Sequence, residues 1–124
     1  MFTLVLFYRL MEEIKQALTQ YKFTGDVDDS SDTLEFYSHD ASMFELRPQL
    51  VISPKTAKDV ETAVKVVNER KKHQRDLSLT ARSAGTDMSG AAINDSIIVD
   101  FKKHLNKFIN LKDDIAVAQP GLLF

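Results

Sequence analysis

Cysteine and tryptophan are absent from the chain, and among its 124 residues only four are glycine and three proline. Without cysteine there are no disulfides, no thiolate-bound zinc or iron–sulfur cluster, and no thiol nucleophile. Neither sign of charge dominates: 16 Lys and Arg face 18 Asp and Glu, a net charge of -2. With no long basic run besides, no nucleic-acid partner is expected. No apolar run approaches the roughly 20 residues that a bilayer-spanning helix needs, so no transmembrane segment is expected. The apolar opening from Met1 to Leu10 is interrupted by Arg9, lacks a basic start and is followed by no A-x-A site. It therefore predicts the lead-in to an amphipathic helix rather than a signal peptide. His39, His73 and His104 show none of the short spacings of a metal site, so no metal is expected. What remains, 44% hydrophobic and 27% charged residues, is the composition of a soluble globular domain, and the expected compartment is the cytoplasm.

One junction stands out against that background. Leu77 to Gly90 reads Leu-Ser-Leu-Thr-Ala-Arg-Ser-Ala-Gly-Thr-Asp-Met-Ser-Gly, an apolar strand running directly into a loop of small residues. Ser83, Ala84, Gly85, Thr86, Ser89 and Gly90 present little bulk, so backbone N–H groups there can approach an anion closely. Arg82 adds a fixed cation at the strand end, able to make paired hydrogen bonds to a phosphate. The same residues also suit an ordinary tight turn. Two familiar phosphate loops are excluded. No lysine follows either glycine as a P-loop requires, and only Gly85 and Gly90 stand where the Rossmann fingerprint has three glycines. A phosphate held here belongs to a different cofactor fold.

Upstream, Leu10, Ile14, Ala17, Leu18 and Tyr21 recur at helical spacing, with Glu12, Glu13, Lys15 and Gln16 toward water. Gly25 to Thr33 is dense in Asp and Ser and predicts a surface loop, with Asp28 and Asp29 as solvated turn residues. Leu34 to Arg47 reads as irregular or weakly helical. Strands and helices then alternate. Gln49 to Ser53 predicts a strand closed by Pro54, and Thr56 with Asp59 three positions on is close to a capping box for the next helix. Val60, Ala63, Val64 and Val67 make that helix's apolar face, while Arg70 to His73 complement its C-terminus. Leu77 to Ala81 is a second strand. Ile97 to Phe101 is a third, continuously apolar as in a strand buried on both faces, and Lys102-Lys103-His104 after it reads as a solvated edge. Lys107 to Leu111 and Ile115 to Gln119 flank Lys112-Asp113-Asp114 and predict an antiparallel hairpin. Strand, helix and strand imply a right-handed parallel crossover. The added hairpin makes the sheet mixed. The expected class is α+β: a small mixed sheet with a parallel β-α-β unit and flanking helices.

Four segments, taken in order, resemble the FAD-binding domain of the vanillyl-alcohol oxidase / p-cresol methylhydroxylase (PCMH) superfamily, in its glycolate oxidase subunit and D-lactate dehydrogenase branch. Tyr37-Ser38-His39-Asp40-Ala41-Ser42 resembles the family's Y-S-x-D-A-S segment. Pro48 to Pro54, followed by Asp59-Val60, resembles its P-x-x-V-x-x-P strand and helix start. Arg82 to Gly90 resembles the R-G-x-G-T-x-x-S-G pyrophosphate loop, and Val117-Ala118-Gln119-Pro120-Gly121 the V-x-x-Q-P-G strand exit.

The resemblance implies that the parent protein binds FAD, with its pyrophosphate on Arg82, Ser83, Ala84, Gly85, Thr86, Asp87, Ser89 and Gly90, and with Gln119, Pro120 and Gly121 near the cofactor; the chain alone is expected to be inactive. It implies a parent flavoenzyme that oxidises a small 2-hydroxy acid of the glycolate or D-lactate type by hydride transfer to FAD. Thr86 stands where relatives with histidyl-linked flavin carry the histidine, so the FAD is expected to be non-covalent. Two departures matter. Ser83 replaces a common glycine, and Asp87 brings negative charge beside a pyrophosphate, so it must point outward or weaken binding. Residues 1–24 are expected to form an amphipathic helix and lead-in, and residues 25–124 the first lobe of the cofactor domain. The family's second lobe and substrate domain are not within the chain, and no catalytic residue can be assigned. The bare face left for the missing lobe implies self-association. The competing reading is a free-standing binding or scaffold module that reuses the fold without redox chemistry.

Overall fold

Ile97, Ile98 and Val99 carry β-branched side chains, which suit a pleated surface enclosed on both faces. They open β4 (Ile97–Asp100), an inner strand whose four residues are all buried. The computed structural model describes residues 2–123 of the chain; Met1 and Phe124 lie outside them. In chain order the elements are α1 (Phe2–Gln20), β1 (Asp26–Asp28), α2 (Ser31–Phe36), β2 (Leu50–Ser53), α3 (Ala57–Lys71), β3 (Leu79–Arg82), β4, β5 (Phe108–Lys112) and β6 (Ile115–Ala118). The first four strands form one sheet in the order β1-β2-β4-β3. β2 and β3 flank β4 in parallel, with Leu50 and Leu79 both in register with Ile97. β1 pairs antiparallel with the outer edge of β2, Asp26 opposite Ser53.

Met11, Ile14 and Leu18 of α1 join Ala63, Val66 and Val67 of α3 and Leu50, Ile52, Ile97 and Val99 of the sheet in one apolar core. Each fully buried aliphatic side chain there contributes about 1.5–3 kcal/mol. α3 begins where its sequence says it should. Thr56 Oγ1 accepts from the Asp59 backbone N–H at 3.1 Å, and the Asp59 carboxylate accepts from the Thr56 N–H at 3.0 Å, a complete capping box. The same carboxylate also accepts from the Lys55 N–H at 3.0 Å and from the N–H and hydroxyl of Thr24 at 2.7 and 2.9 Å. A 2% exposed Asp59 therefore ties the approach to β1 to the β2–α3 corner.

The α+β class with a small mixed sheet stands, but the source of the mixing differs from expectation. It is β1 that makes the sheet mixed, while β5 and β6 form a separate two-stranded sheet. The turn between them places Asp113 and Asp114 at φ 49° and 63°, the left-handed pair that closes a tight hairpin. β1 arises inside the stretch expected to be loop. There Asp28 accepts from the Ser30 N–H and the Thr33 hydroxyl, while Asp26 pairs with His104 Nε2 at 2.7 Å and Lys103 Nζ at 2.8 Å. Lys103 and His104 are thus engaged with an edge strand rather than merely solvated. On α3 the buried stripe is Asp59, Thr62, Ala63, Val66 and Val67, and Val64 is 53% exposed. Tyr21 falls just past α1 and lies exposed beneath the Lys65 ammonium, 4.5 Å from its ring centre. No helix among the described residues is long and apolar enough to cross a membrane.

Burial pushes the Asp59 carboxyl upward, but the hydrogen bonds from Thr24, Thr56 and Lys55 prevail and hold it below its ordinary value. A depressed folded-state pKa contributes stability above the unfolded value of ~3.9, which is lost as pH falls through the lower folded value. Asp59→Ala is expected to cost about 3 kcal/mol in urea unfolding at pH 7, since several donors lose a charged acceptor. Asp59→Asn should in addition flatten the loss of stability below about pH 4; an unchanged acid limb would assign that loss to other carboxylates.

Candidate functional site

At the C-terminal edge of the parallel strands, where α/β sheets gather ligands, β3 runs out at Arg82 into the loop 83–90. Gly85 and Gly90 both take positive φ, 70° and 84°. The conformation there favours glycine, and a Cβ on Gly85 would stand 2.5 Å from Arg82 Nη2 and displace the guanidinium. The Gly85 carbonyl accepts from the Ala41 N–H at 3.0 Å, and Phe44 and Ser42 lie beside Gly90. The Tyr37–Ser42 segment and the loop are therefore one structural unit. A groove of about 510 Å³ opens between them, lined by His39, Asp40 and Ala41 together with Arg82 and Gly85. Asp40 Oδ1 accepts from the Ser42 N–H at 2.8 Å, while Oδ2 is buried with no donor among the described residues.

Arg82 is only 7% exposed. Its Nη1 donates to the carbonyl of His39 at 2.7 Å, with longer contacts of 3.4 Å to those of Tyr37 and Ala92. The guanidinium carbon lies 5.1 Å from the Tyr37 ring centre. The cation expected to face a phosphate thus lies beneath the loop, where it supports Gly85 and holds the Tyr37–Ser42 segment. Nearby, burial and the neighbouring Asp100 carboxylate raise the pKa of the Tyr37 hydroxyl.

Asp87 does not point outward. Its Oδ2 accepts from the Ser89 N–H at 2.9 Å, the Ser89 hydroxyl at 2.7 Å and the Ala91 N–H at 2.9 Å. Led by the Ser89 hydroxyl, these donors hold the Asp87 carboxyl below its ordinary value. Ser83 and Ala84 are half-buried, whereas Thr86, Asp87 and Ser89 are exposed.

The other expected residues lie apart from the loop groove. Gln119 and Pro120 line a second, apolar groove of about 800 Å³ with Val60, Val64, Phe101 and Leu105. Gly121 is buried, donates its N–H to the Leu105 carbonyl at 2.8 Å, and has the Phe101 carbonyl where a side chain would go. The sequence reading left the Tyr37–Ser42 segment out of the site, although its motif was the available signal. It also missed that Glu35, His39 and Glu45 draw together, their ligand atoms within 4.8 Å. All three are exposed, and Arg47 already pairs with Glu35 at 2.6 Å.

Residues 48–124 match a family model described as an FAD binding domain. Over 106 residues the chain is 31% identical to a D-2-hydroxyglutarate dehydrogenase of Escherichia coli (strain K12), covering 86% of this chain and 10% of that protein. The like-named protein of Pseudomonas putida is 29% identical over 111 residues, covering 88% of this chain and 11% of its own length. The chain therefore spans about a tenth of the length of these relatives. Among solved structures, p-cresol methylhydroxylase with substrate bound superposes with a TM-score of 0.73 at 24% identity, over 92% of this chain and 23% of that one. Alkyldihydroxyacetonephosphate synthase superposes with the same TM-score of 0.73 at 15% identity, over 90% of this chain and 23% of its own. At these identities the superpositions speak to the fold, and the match over residues 48–124 to the lineage: the chain belongs to the FAD-binding domain family and has the fold of its p-cresol methylhydroxylase type.

Proposed function

We propose that the loop from Arg82 to Gly90 holds the pyrophosphate of non-covalently bound FAD, and that these residues serve a flavin-dependent oxidation of a small 2-hydroxy acid. The observation that carries the proposal is the convergence of the Ser89 and Ala91 N–H groups on one carboxylate oxygen at 2.9 Å. A loop that seats a carboxylate through backbone donors has the donor set that a phosphate oxygen needs. Ser83, Ala84, Gly85, Thr86, Ser89 and Gly90 bring backbone and hydroxyl donors to that anion. Arg82 acts by keeping the loop and the Tyr37–Ser42 segment in place.

When bound, FAD supplies a two-electron acceptor for hydride. This chain's residues bind and orient; none is assigned to move the substrate's proton. The substrate class rests on the relatives, which are named for D-2-hydroxyglutarate, a 2-hydroxy acid. Thr86 offers no ring nitrogen for a covalent flavin link, so acid denaturation is expected to release the flavin unchanged.

Gly85→Val should abolish the loop's response to FAD, because valine is strained at positive φ and its Cβ meets the Arg82 guanidinium. FAD titrated into the 15N-labelled chain is expected to shift the amides of residues 83–91 in the wild type and not in Gly85→Val, with far-UV circular dichroism unchanged. Equal response in the variant would move the site elsewhere. Arg82→Ala should lower stability by about 2 kcal/mol, since three carbonyls lose a charged donor, and should weaken FAD with it. Loss of binding at full stability would restore a direct phosphate contact.

We also propose that the chain self-associates through its hairpin. Every residue of β5 and β6 is exposed, including Phe108, Ile109, Leu111, Ile115 and Val117. A lone two-stranded hairpin is marginal in water, and apolar strands with free edges favour pairing. Light scattering is expected to give at least twice the 14.0 kDa chain mass. Ile115→Lys should return it to one chain; a wild-type monomer would refute the proposal.

A further inference from the structure

The loop already holds an anion, and the anion is its own. Asp87 Oδ2 takes three hydrogen bonds, two from backbone N–H groups and one from the Ser89 hydroxyl. One carboxylate oxygen is thereby as fully satisfied as a seated phosphate oxygen would be. The residue is exposed, so geometry rather than burial keeps it there. Its carboxyl is held below the usual range, which leaves it ionised throughout the neutral region.

We propose that Asp87 is a displaceable occupant of the pyrophosphate seat: its carboxylate satisfies the Ser89 and Ala91 donors in the free protein and must swing away before FAD can use them. The proposal rests on the flavin-binding role of the loop. Without that acceptor the N–H groups of the exposed Ser89 and Ala91 would turn to water. An internal acceptor keeps the loop ordered without cofactor, and the same acceptor then competes with the phosphate and repels it. Asp87 in this way sets the affinity of the site in a manner that the glycine positions do not. Because a carboxyl on a short side chain can rotate about two bonds, release needs no movement of the backbone around Gly85 and Gly90.

The test compares the wild-type chain with Asp87→Asn, which keeps an acceptor of the same shape without charge, and Asp87→Ala, which removes the acceptor. FAD and inorganic pyrophosphate are titrated into each 15N-labelled protein while the amide protons of residues 83–91 are followed. In the free proteins, the Ser89 and Ala91 amide protons should move upfield in Asp87→Ala relative to wild type, and FAD should return them downfield. The dissociation constant for FAD is expected to fall about tenfold or more in Asp87→Asn, as suits loss of a charged competitor for the donors. Pyrophosphate should show the same order of affinities. Equal or weaker FAD binding by Asp87→Asn, with loop amides still responding to FAD in all three proteins, would overturn the proposal and leave the flavin-binding role intact. Loop amides silent to saturating FAD in every protein would overturn that role and the proposal together.

Discussion

A parallel strand in the middle of a sheet needs hydrogen-bonding neighbours on both edges and apolar cover on both faces. β4 meets both needs between β2 and β3, and the rest of the architecture follows from that placement. Because β2 and β3 are not adjacent, α3 must carry the chain across the face of the strand that separates them. Its buried stripe accordingly lies on Leu50, Ile52, Ile97 and Val99. The C-terminal ends of three parallel strands come to one edge of the sheet, so Pro54, the loop after Arg82 and the buried Asp100 all emerge on that side.

At that edge the two charged residues of the loop adopt places opposite to those their charges suggest. Arg82 faces inward to backbone carbonyls, and Asp87 faces the backbone donors. The reason is local satisfaction. A buried guanidinium requires acceptors, and the turn from Tyr37 to His39 brings carbonyls to it; a turn rich in N–H groups requires an acceptor, and Asp87 is two residues away from Ser89. Each charge is used first to hold the chain, and ligand chemistry must operate with the donors that remain or that can be freed.

Where the sequence was legible, the signal was local. The Thr56–Asp59 box marked the start of α3, the apolar run from Ile97 marked β4, and the paired Asp113-Asp114 marked the hairpin turn. Where it was not, long-range contacts overruled local character. Asp26–Asp28 has little strand propensity, and only its register on β2, the Lys103 cation and the His104 ring make it β1. Val64 belongs to the apolar stripe by spacing, yet α3 is rotated so that Val66 is buried and Val64 faces the second groove. The loop's residue types announced an anion site, but nothing in their order said that one of them would occupy it.

The pairing of the strands bears on how the chain reaches this state. In the main sheet Leu50 must find Ile97, and Asp26 must find Ser53, so every contact there closes a long stretch of chain. β5 and β6 alone are neighbours in sequence. A hairpin of that kind assembles in about 1–10 μs, whereas non-local parallel pairing waits on loop closure and is intrinsically slow. The strands with the least shelter in the finished structure are therefore the first strands able to pair, and their apolar side chains stand bare while the core forms.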